Sequence, residues 1–221
     1  MRGWFVTGTD TGVGKTFVTA ALARELRARG QRVAAIKPAE SGCRRGPEGL
    51  FAEDAETIAA AAGSWQAPDA RCLYRFEEPV APGVAAERTG TRIDLEAVAR
   101  FVATAAADAA RVLVEGAGGW LVPLGESRTI ADLAERLAWP VVVVARATLG
   151  TINHSLLTVE AIERRGLEVA ALILSQRPDD EARATESNAD EIRKHWRDRV
   201  WILGPAGWAP NFPAAAFHVE R

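Results

Sequence analysis

Residues 8 to 16 read Gly-Thr-Asp-Thr-Gly-Val-Gly-Lys-Thr, between the apolar run Trp4-Phe5-Val6 and an amphipathic stretch over 17–29. A glycine-rich turn that leaves a strand and opens a helix aims several backbone N–H groups at one point, and the helix dipole adds partial positive charge there. Such a point favours phosphate. Lys15 is placed to reach the outer phosphates of a nucleoside triphosphate, and the Thr16 hydroxyl is placed to ligate Mg²⁺. The spacing is one residue longer than usual: Thr9 stands where the common pattern has its first glycine, and Gly8 precedes it.

Further chemistry sits at the ends of other apolar runs. Lys37 closes Ala34-Ala35-Ile36 and is followed by Pro38-Ala39-Glu40-Ser41-Gly42. Over the same edge as the phosphate loop, it would be a second cation for a transferring phosphoryl group. Arg111-Val112-Leu113-Val114-Glu115 ends in an acid and runs into Gly116-Ala117-Gly118-Gly119. An acid after a buried run can hold Mg²⁺ directly or through water. Asp54 opens a helical stretch over 55–62, where an acid also favours the helix dipole. With Thr16 and Glu115 it completes a hard oxygen set suited to Mg²⁺. Leu149-Gly150-Thr151-Ile152-Asn153-His154 opens another helix; Thr151 or Asn153 reads as a cap, and the helix start also reads as a site for a substrate carboxylate. His154 carries no nucleophile or metal role in this pattern.

The basic residues are unevenly chosen. Among 27 basic residues only Lys15, Lys37 and Lys194 are lysine. An ammonium meets a phosphate oxygen as a compact point charge where a planar guanidinium would not fit. The net charge of −2 offers no general attraction to nucleic acid or to an anionic membrane. The seven tryptophans are scattered, without the basic stripe that base stacking needs. No apolar run approaches the ~20 residues that span a bilayer, and no secretory segment is evident. The two cysteines, Cys43 and Cys72, are not spaced as metal ligands and fit packing roles in a reducing, cytoplasmic setting.

These residues need a frame that brings strand ends together. Apolar runs at 3–7, 32–37, 112–115, 141–145, 169–175 and 200–203 read as strands, several rich in valine and without alternation, as expected when both faces are covered. Helical patterns occupy 17–29, 93–110, 130–137, 153–165 and 181–196. The alternation predicts a single α/β domain over 1–221: a mostly parallel sheet with helices on both faces, of the P-loop NTPase type. In such sheets the ligand site lies beyond the carboxyl ends of the strands. Stretches 38–51 and 73–90 and the tail from Gly204 are expected to be long loops.

Four blocks, FVTGTDTGVGKT, IKPAESG, LVEGAGGWLVPL and LGTINHSLLT, resemble the dethiobiotin synthetase family in order and over most of the chain. The long phosphate-loop spacing is that family's usual form. The resemblance implies an ATP-dependent ligase of biotin biosynthesis that joins 7,8-diaminononanoate and CO₂, through a carbamate and a carbamic–phosphoric anhydride, into dethiobiotin. It implies Lys37, Lys15 and Thr11 as catalytic groups, and Gly12, Val13, Gly14, Lys15, Thr16 and Phe17 around the triphosphate. Gly116, Ala117 and Gly118 would lie near nucleotide and substrate, and Ser41 would contact substrate. Mg²⁺ would be held by Thr16, Asp54 and Glu115. A homodimer is implied, with the substrate carboxylate at Gly150, Thr151, Ile152 and Asn153 of the opposite subunit.

The chain departs from the family where the base is read. Ser175-Gln176 stand where an Asn-Asp pair is common, and Gly207-Trp208-Ala209 replace a Pro-Trp-type clamp. A serine hydroxyl cannot present donor and acceptor together as an amide does, so triphosphates other than ATP are expected to be accepted. Gly12 also replaces a glutamate that many members carry. A MinD/ParA-like switch ATPase is the alternative, but the extra lysine early in that phosphate loop is absent here. A cobyrinate-type amidotransferase would need a glutamine-hydrolysing domain, and a small-molecule kinase would not need bicarbonate.

Overall fold

In the computed structural model, which describes residues 3–196 and 199–209, the run Val141-Val142-Val143-Val144-Ala145 faces two cores in turn. Val141, Val143 and Ala145 pack in one, and Val142 and Val144 pack in the other. A strand covered on both sides has no solvent face, which is why its sequence lacks polar alternation.

Among the described residues seven strands form the main sheet: β1 (Gly3–Gly8), β2 (Val33–Ile36), β3 (Arg111–Gly119), β4 (Val141–Arg146), β5 (Val169–Ser175), β6 (Val200–Gly204) and β7 (Gly207–Trp208). Their spatial order is β7-β6-β5-β4-β1-β3-β2. Every neighbouring pair is parallel except β6 with β7. The helices are α1 (Lys15–Ala28), α2 (Glu53–Ala61), α3 (Pro82–Thr89), α4 (Leu95–Ala105), α5 (Ile130–Leu137), α6 (Thr151–Glu163) and α7 (Ala182–His195). Val18, Leu22 and Leu26 of α1 and Ile58 of α2 cover one face. Val98 and Val102 of α4, Ile130 of α5, Val159 and Ile162 of α6 and Ile192 of α7 cover the other. The expected P-loop-type α/β architecture is the one observed.

The six expected strands and the helical patterns are all present, with shifted ends. The helix expected over 93–110 is only α4, because the Asp94 side chain accepts from Glu96 N at 2.9 Å and starts it late. Its far end stops early because Ala110 N donates to Arg32 O at 2.8 Å and turns the chain into the sheet.

The expected loops need correction. Within 38–51, Ala39–Ser41 pairs with Tyr74–Phe76, and Arg44–Gly46 pairs with Gly49–Phe51. Stretch 73–90 contains α3, which begins at Pro82 and ends at Gly90 with φ 66°. A proline opening and a glycine closing the helix were legible, but only two turns long and easily missed. The tail from Gly204 returns as β7, and residues 210–221 lie outside the described residues.

Candidate active site

β1 lies inside the sheet, between β3 and β4, so the loop leaving its carboxyl end at Gly8 is flanked by the ends of both neighbours. Gly14 is the N-cap of α1 and sits at φ 96°, in the left-handed region that an L side chain resists. A Cβ there would lie 2.3 Å from Ser175 Oγ, so the end of β5 closes on the loop. A Cβ on Gly8 would meet Asp10 O at 2.7 Å and Lys15 Nζ at 3.0 Å. This is the physical use of the unusual first glycine: it lets the loop fold back over the lysine. Lys15 Nζ donates to Asp10 O at 3.0 Å and is 6% exposed.

The β1–β3 pairing runs from Gly3↔Val112 to Val6↔Glu115, then resumes at Gly8↔Gly119. One residue of β1 is thus opposed by three of β3, and this bulge brings Ala117 and Gly118 to the cavity. The sequence reading ended the strand at Glu115; it continues to Gly119 through the bulge. A Cβ on Gly116 would instead meet Ile130 and Phe5, so its Cα faces the core rather than the cavity.

Glu115 is fully buried, and two side chains make three contacts to it and to Asp54. Thr16 Oγ1 donates to Glu115 Oε1 at 2.9 Å, Lys37 Nζ donates to the same oxygen at 3.0 Å, and Lys37 also pairs with Asp54. Glu115 Oε2 is buried with no hydrogen-bond partner among the described residues. Burying an unsatisfied carboxylate oxygen is costly unless a ligand completes it. Two carboxylates and a hydroxyl are hard oxygen donors, so the set fits Mg²⁺, which fills its remaining positions with phosphate and water. Among the described residues no group of three or more His, Cys, Asp or Glu side chains forms an all-protein cage.

The two lysines differ electrostatically. Burial pushes the Lys15 ammonium down to about 8, only partly opposed by Glu115. Burial also works against the charge of Lys37, but Glu115, Asp54 and Glu40 outweigh it and hold its pKa above the ordinary lysine value. Burial raises the Glu40 carboxyl, although Lys37 and two backbone N–H groups favour its charge. The cradle therefore holds one firmly charged ammonium and one whose charge a phosphate would stabilise.

A cavity of about 310 Å³ collects Thr11, Gly12, Gly14, Lys15, Thr16, Lys37, Ser41, Asp54, Ala117 and Gly118, with Glu40 in its wall. Other expected residues lie outside it. Val13 and Thr151 line a separate, smaller cavity of about 140 Å³, shared with Arg146 and His154. Phe17 is 41% exposed. Ser175 is buried against Gly14, and the Gln176 amide donates to Asp180 O at 3.3 Å. Gly207 and Trp208 form β7, and Ala209 N donates to Ile202 O at 3.0 Å. The caps expected of Thr151 and Asn153 are not made: Gly150 is the N-cap of α6, without a side-chain bond. Glu40 and Arg177, whose Nη2 donates to Gly12 O at 2.8 Å, are contacts that the sequence reading missed. Glu40 stands in the same short block as Lys37 and Ser41, which was the available signal; nothing in the sequence linked Arg177 to Gly12.

A family model described as an AAA domain matches residues 2–206. The chain is 45% identical over 216 residues to a protein of Anaeromyxobacter dehalogenans (strain 2CP-C) named ATP-dependent dethiobiotin synthetase BioD, covering 98% of this chain and 94% of that protein. It is 39% identical over 213 residues to the protein of the same name from Xanthomonas oryzae pv. oryzae (strain PXO99A), covering 96% and 94%. Among solved structures it is similar to chloroplast FtsY from Physcomitrella patens, with TM-score 0.55, 17% identity and coverage of 98% of this chain and 63% of that one. The signal recognition particle receptor FtsY from Elizabethkingia anophelis gives TM-score 0.51 at 17% identity, covering 91% and 58%. The chain spans about three fifths of each FtsY chain, and the likeness extends to the fold alone. No helix among the described residues is long and apolar enough to cross a membrane.

Proposed function

The chain belongs to the ATP-dependent dethiobiotin synthetase family, and from that membership we propose that its phosphate-loop cavity closes a cyclic urea on 7,8-diaminononanoate with CO₂ and ATP. Residues 1–221 act as one ligase domain. One amine of the diamine takes up CO₂ as a carbamate and releases a proton. A carbamate oxygen attacks the γ-phosphorus, ADP leaves, and a carbamic–phosphoric anhydride remains. The second amine attacks the anhydride carbonyl and gives up a proton, and phosphate departs as the ring closes.

One observation carries this reading: Lys15 and Lys37 line a single cavity together with Thr11 and Ser41. The main-chain N–H groups of Gly12, Val13, Gly14, Lys15, Thr16 and Phe17 hold the triphosphate, with the side chains of Val13 and Phe17 outside the cavity. Lys37 stands between carbamate and γ-phosphate, where its charge stabilises negative charge spread over the transferring group. Thr11 hydrogen-bonds the carbamate and Ser41 contacts the diamine, while Ala117 and Gly118 border both substrates. Thr16, Asp54 and Glu115 would hold Mg²⁺, which when bound neutralises phosphate charge. Formation of the cyclic urea from Mg-ATP, diaminononanoate and bicarbonate, read by mass, tests the assignment. Nucleotide hydrolysis that ignores both diamine and bicarbonate would instead favour the switch ATPase.

Base selectivity is relaxed in this reading. Ser175 is packed against Gly14 and the Gln176 amide is engaged by Asp180, so neither offers a free amide to a base edge. Turnover with CTP and GTP should lie within about a hundredfold of that with ATP, since neither Ser175 nor Gln176 is placed to reject them.

The active unit is a cytosolic homodimer. Leu149 is fully exposed, at 101%, and Leu157 of α6 is 56% exposed. Asn153 and Leu157, four residues apart, share one face of α6. A second copy covering that face would bring Gly150, Thr151, Ile152 and Asn153 to the substrate carboxylate.

A further inference from the structure

α2 has no cap of its own, because Ala52 stands at its N-cap position with no side-chain acceptor. Glu40 supplies one from another element. Its Oε1 accepts from Asp54 N and its Oε2 from Ala55 N, each at 2.9 Å. These are two of the donors that a helix start leaves unpaired. Glu40 is 5% exposed and forms part of the cavity wall. The segment carrying it is itself fixed: Lys37 N donates to Arg71 O at 3.0 Å, and Ala39 pairs with Tyr74.

A carboxylate is an expensive choice for this task. The first turn of α2 already carries Glu53, Asp54 and Glu56, so Glu40 adds negative charge where like charges gather. A serine or asparagine at position 52 would satisfy the donors without that repulsion. What a local cap could not do is tie α2 to the segment that carries Lys37. As built, Lys37 holds the Asp54 side chain while Glu40, three residues later, holds the Asp54 main chain.

We propose that Glu40 is a positioning residue for Asp54, fixing that carboxylate relative to Lys37 so that it can serve the metal–nucleotide complex. The proposal rests on the reading of Thr16, Asp54 and Glu115 as the Mg²⁺ set.

The test is calorimetric binding of a non-hydrolysable ATP analogue to the full chain, in Mg²⁺ and separately in EDTA. Glu40→Gln keeps the size of the side chain but leaves one accepting oxygen in place of two. It should weaken binding about tenfold in Mg²⁺ and less than about twofold in EDTA, as expected when a group orienting a metal ligand is lost. Equal losses in both conditions, or a lowered Tm with the wild-type Mg²⁺ response, would make Glu40 a plain helix cap and overturn the proposal. In an Asp54→Asn background Glu40→Gln should add nothing further, because both act through one carboxylate; an additive tenfold loss there would also overturn it. If Glu40→Gln does not fold, Glu40→Asp, which withdraws the carboxylate by one methylene, reads the same split. A wild-type chain that forms no cyclic urea removes the ligase reading and leaves this binding test standing. Wild-type binding that is indifferent to Mg²⁺ removes the metal premise, and the proposal with it.

Discussion

In the proposed reaction Lys37 answers to two demands, one structural and one chemical. Its ammonium neutralises Asp54 and the fully buried Glu115, so deleting it strands a charge in the interior. Lys37→Ala should therefore lower Tm, and should reduce turnover by about 10²–10³, the loss typical of one preorganised group aimed at developing charge. Lys37→Arg separates the two demands, because it restores charge without the compact point geometry. It should recover most of the stability while turnover stays more than about tenfold down, measured by cyclic urea formation alongside thermal melting. Recovery of both together would mean that charge alone matters at this position. Lys37 and Glu115 were legible because each ends an apolar run, and Lys15 and Thr16 because they close the glycine-rich turn that opens α1. Glu40 was not, because its hydrogen bonds join residues 14 and 15 positions apart in sequence.

The element joining β1 to α1 works only with glycine at its hinge. Gly14→Ala forces a Cβ to within 2.3 Å of Ser175 Oγ at a φ of 96°, so β5 or the loop must give way. A strained site of this kind should cost about 2 kcal/mol. That corresponds to a Tm lowered by about 4–8 °C, with loss of nucleotide binding in a filter or calorimetric assay. Cys43 lies in the 38–51 stretch, which was expected to be loop and is partly strand, and packs with Cys72, Ala52 and Ala55 in a small core. Burial pushes their thiols up, to about 11 and about 12. Because folding favours the protonated thiols, this support for stability is complete below about pH 9 and is lost as pH rises through the folded values. At neutral pH both thiols should ignore an aromatic disulfide reagent, and both should react after denaturation. Prompt native labelling would show that the 38–51 segment opens. The short pairings there escaped the sequence reading because strands of three residues leave no measurable periodicity.

At the level of the assembly, the prediction concerns the exposed leucines. Leu157→Arg should convert a dimer into a monomer in light-scattering mass measurements, and should raise the KM for the diamine more than that for ATP. A dimer that survives the change with an unaltered KM would move the second copy to another face. The alternating strands and helices set the α/β class, because apolar patterning and glycine stops are local and survive in one dimension. They also set the phosphate loop, since nine consecutive residues carry its turn, its lysine and its hydroxyl. Folding alone decided which distant groups share a cavity. The β1–β3 bulge, the link from Glu40 to α2 and the closure of Ser175 on Gly14 each join segments that no sequence spacing relates. Contacts across a sheet depend on register and layer, and those follow from burying both faces at once.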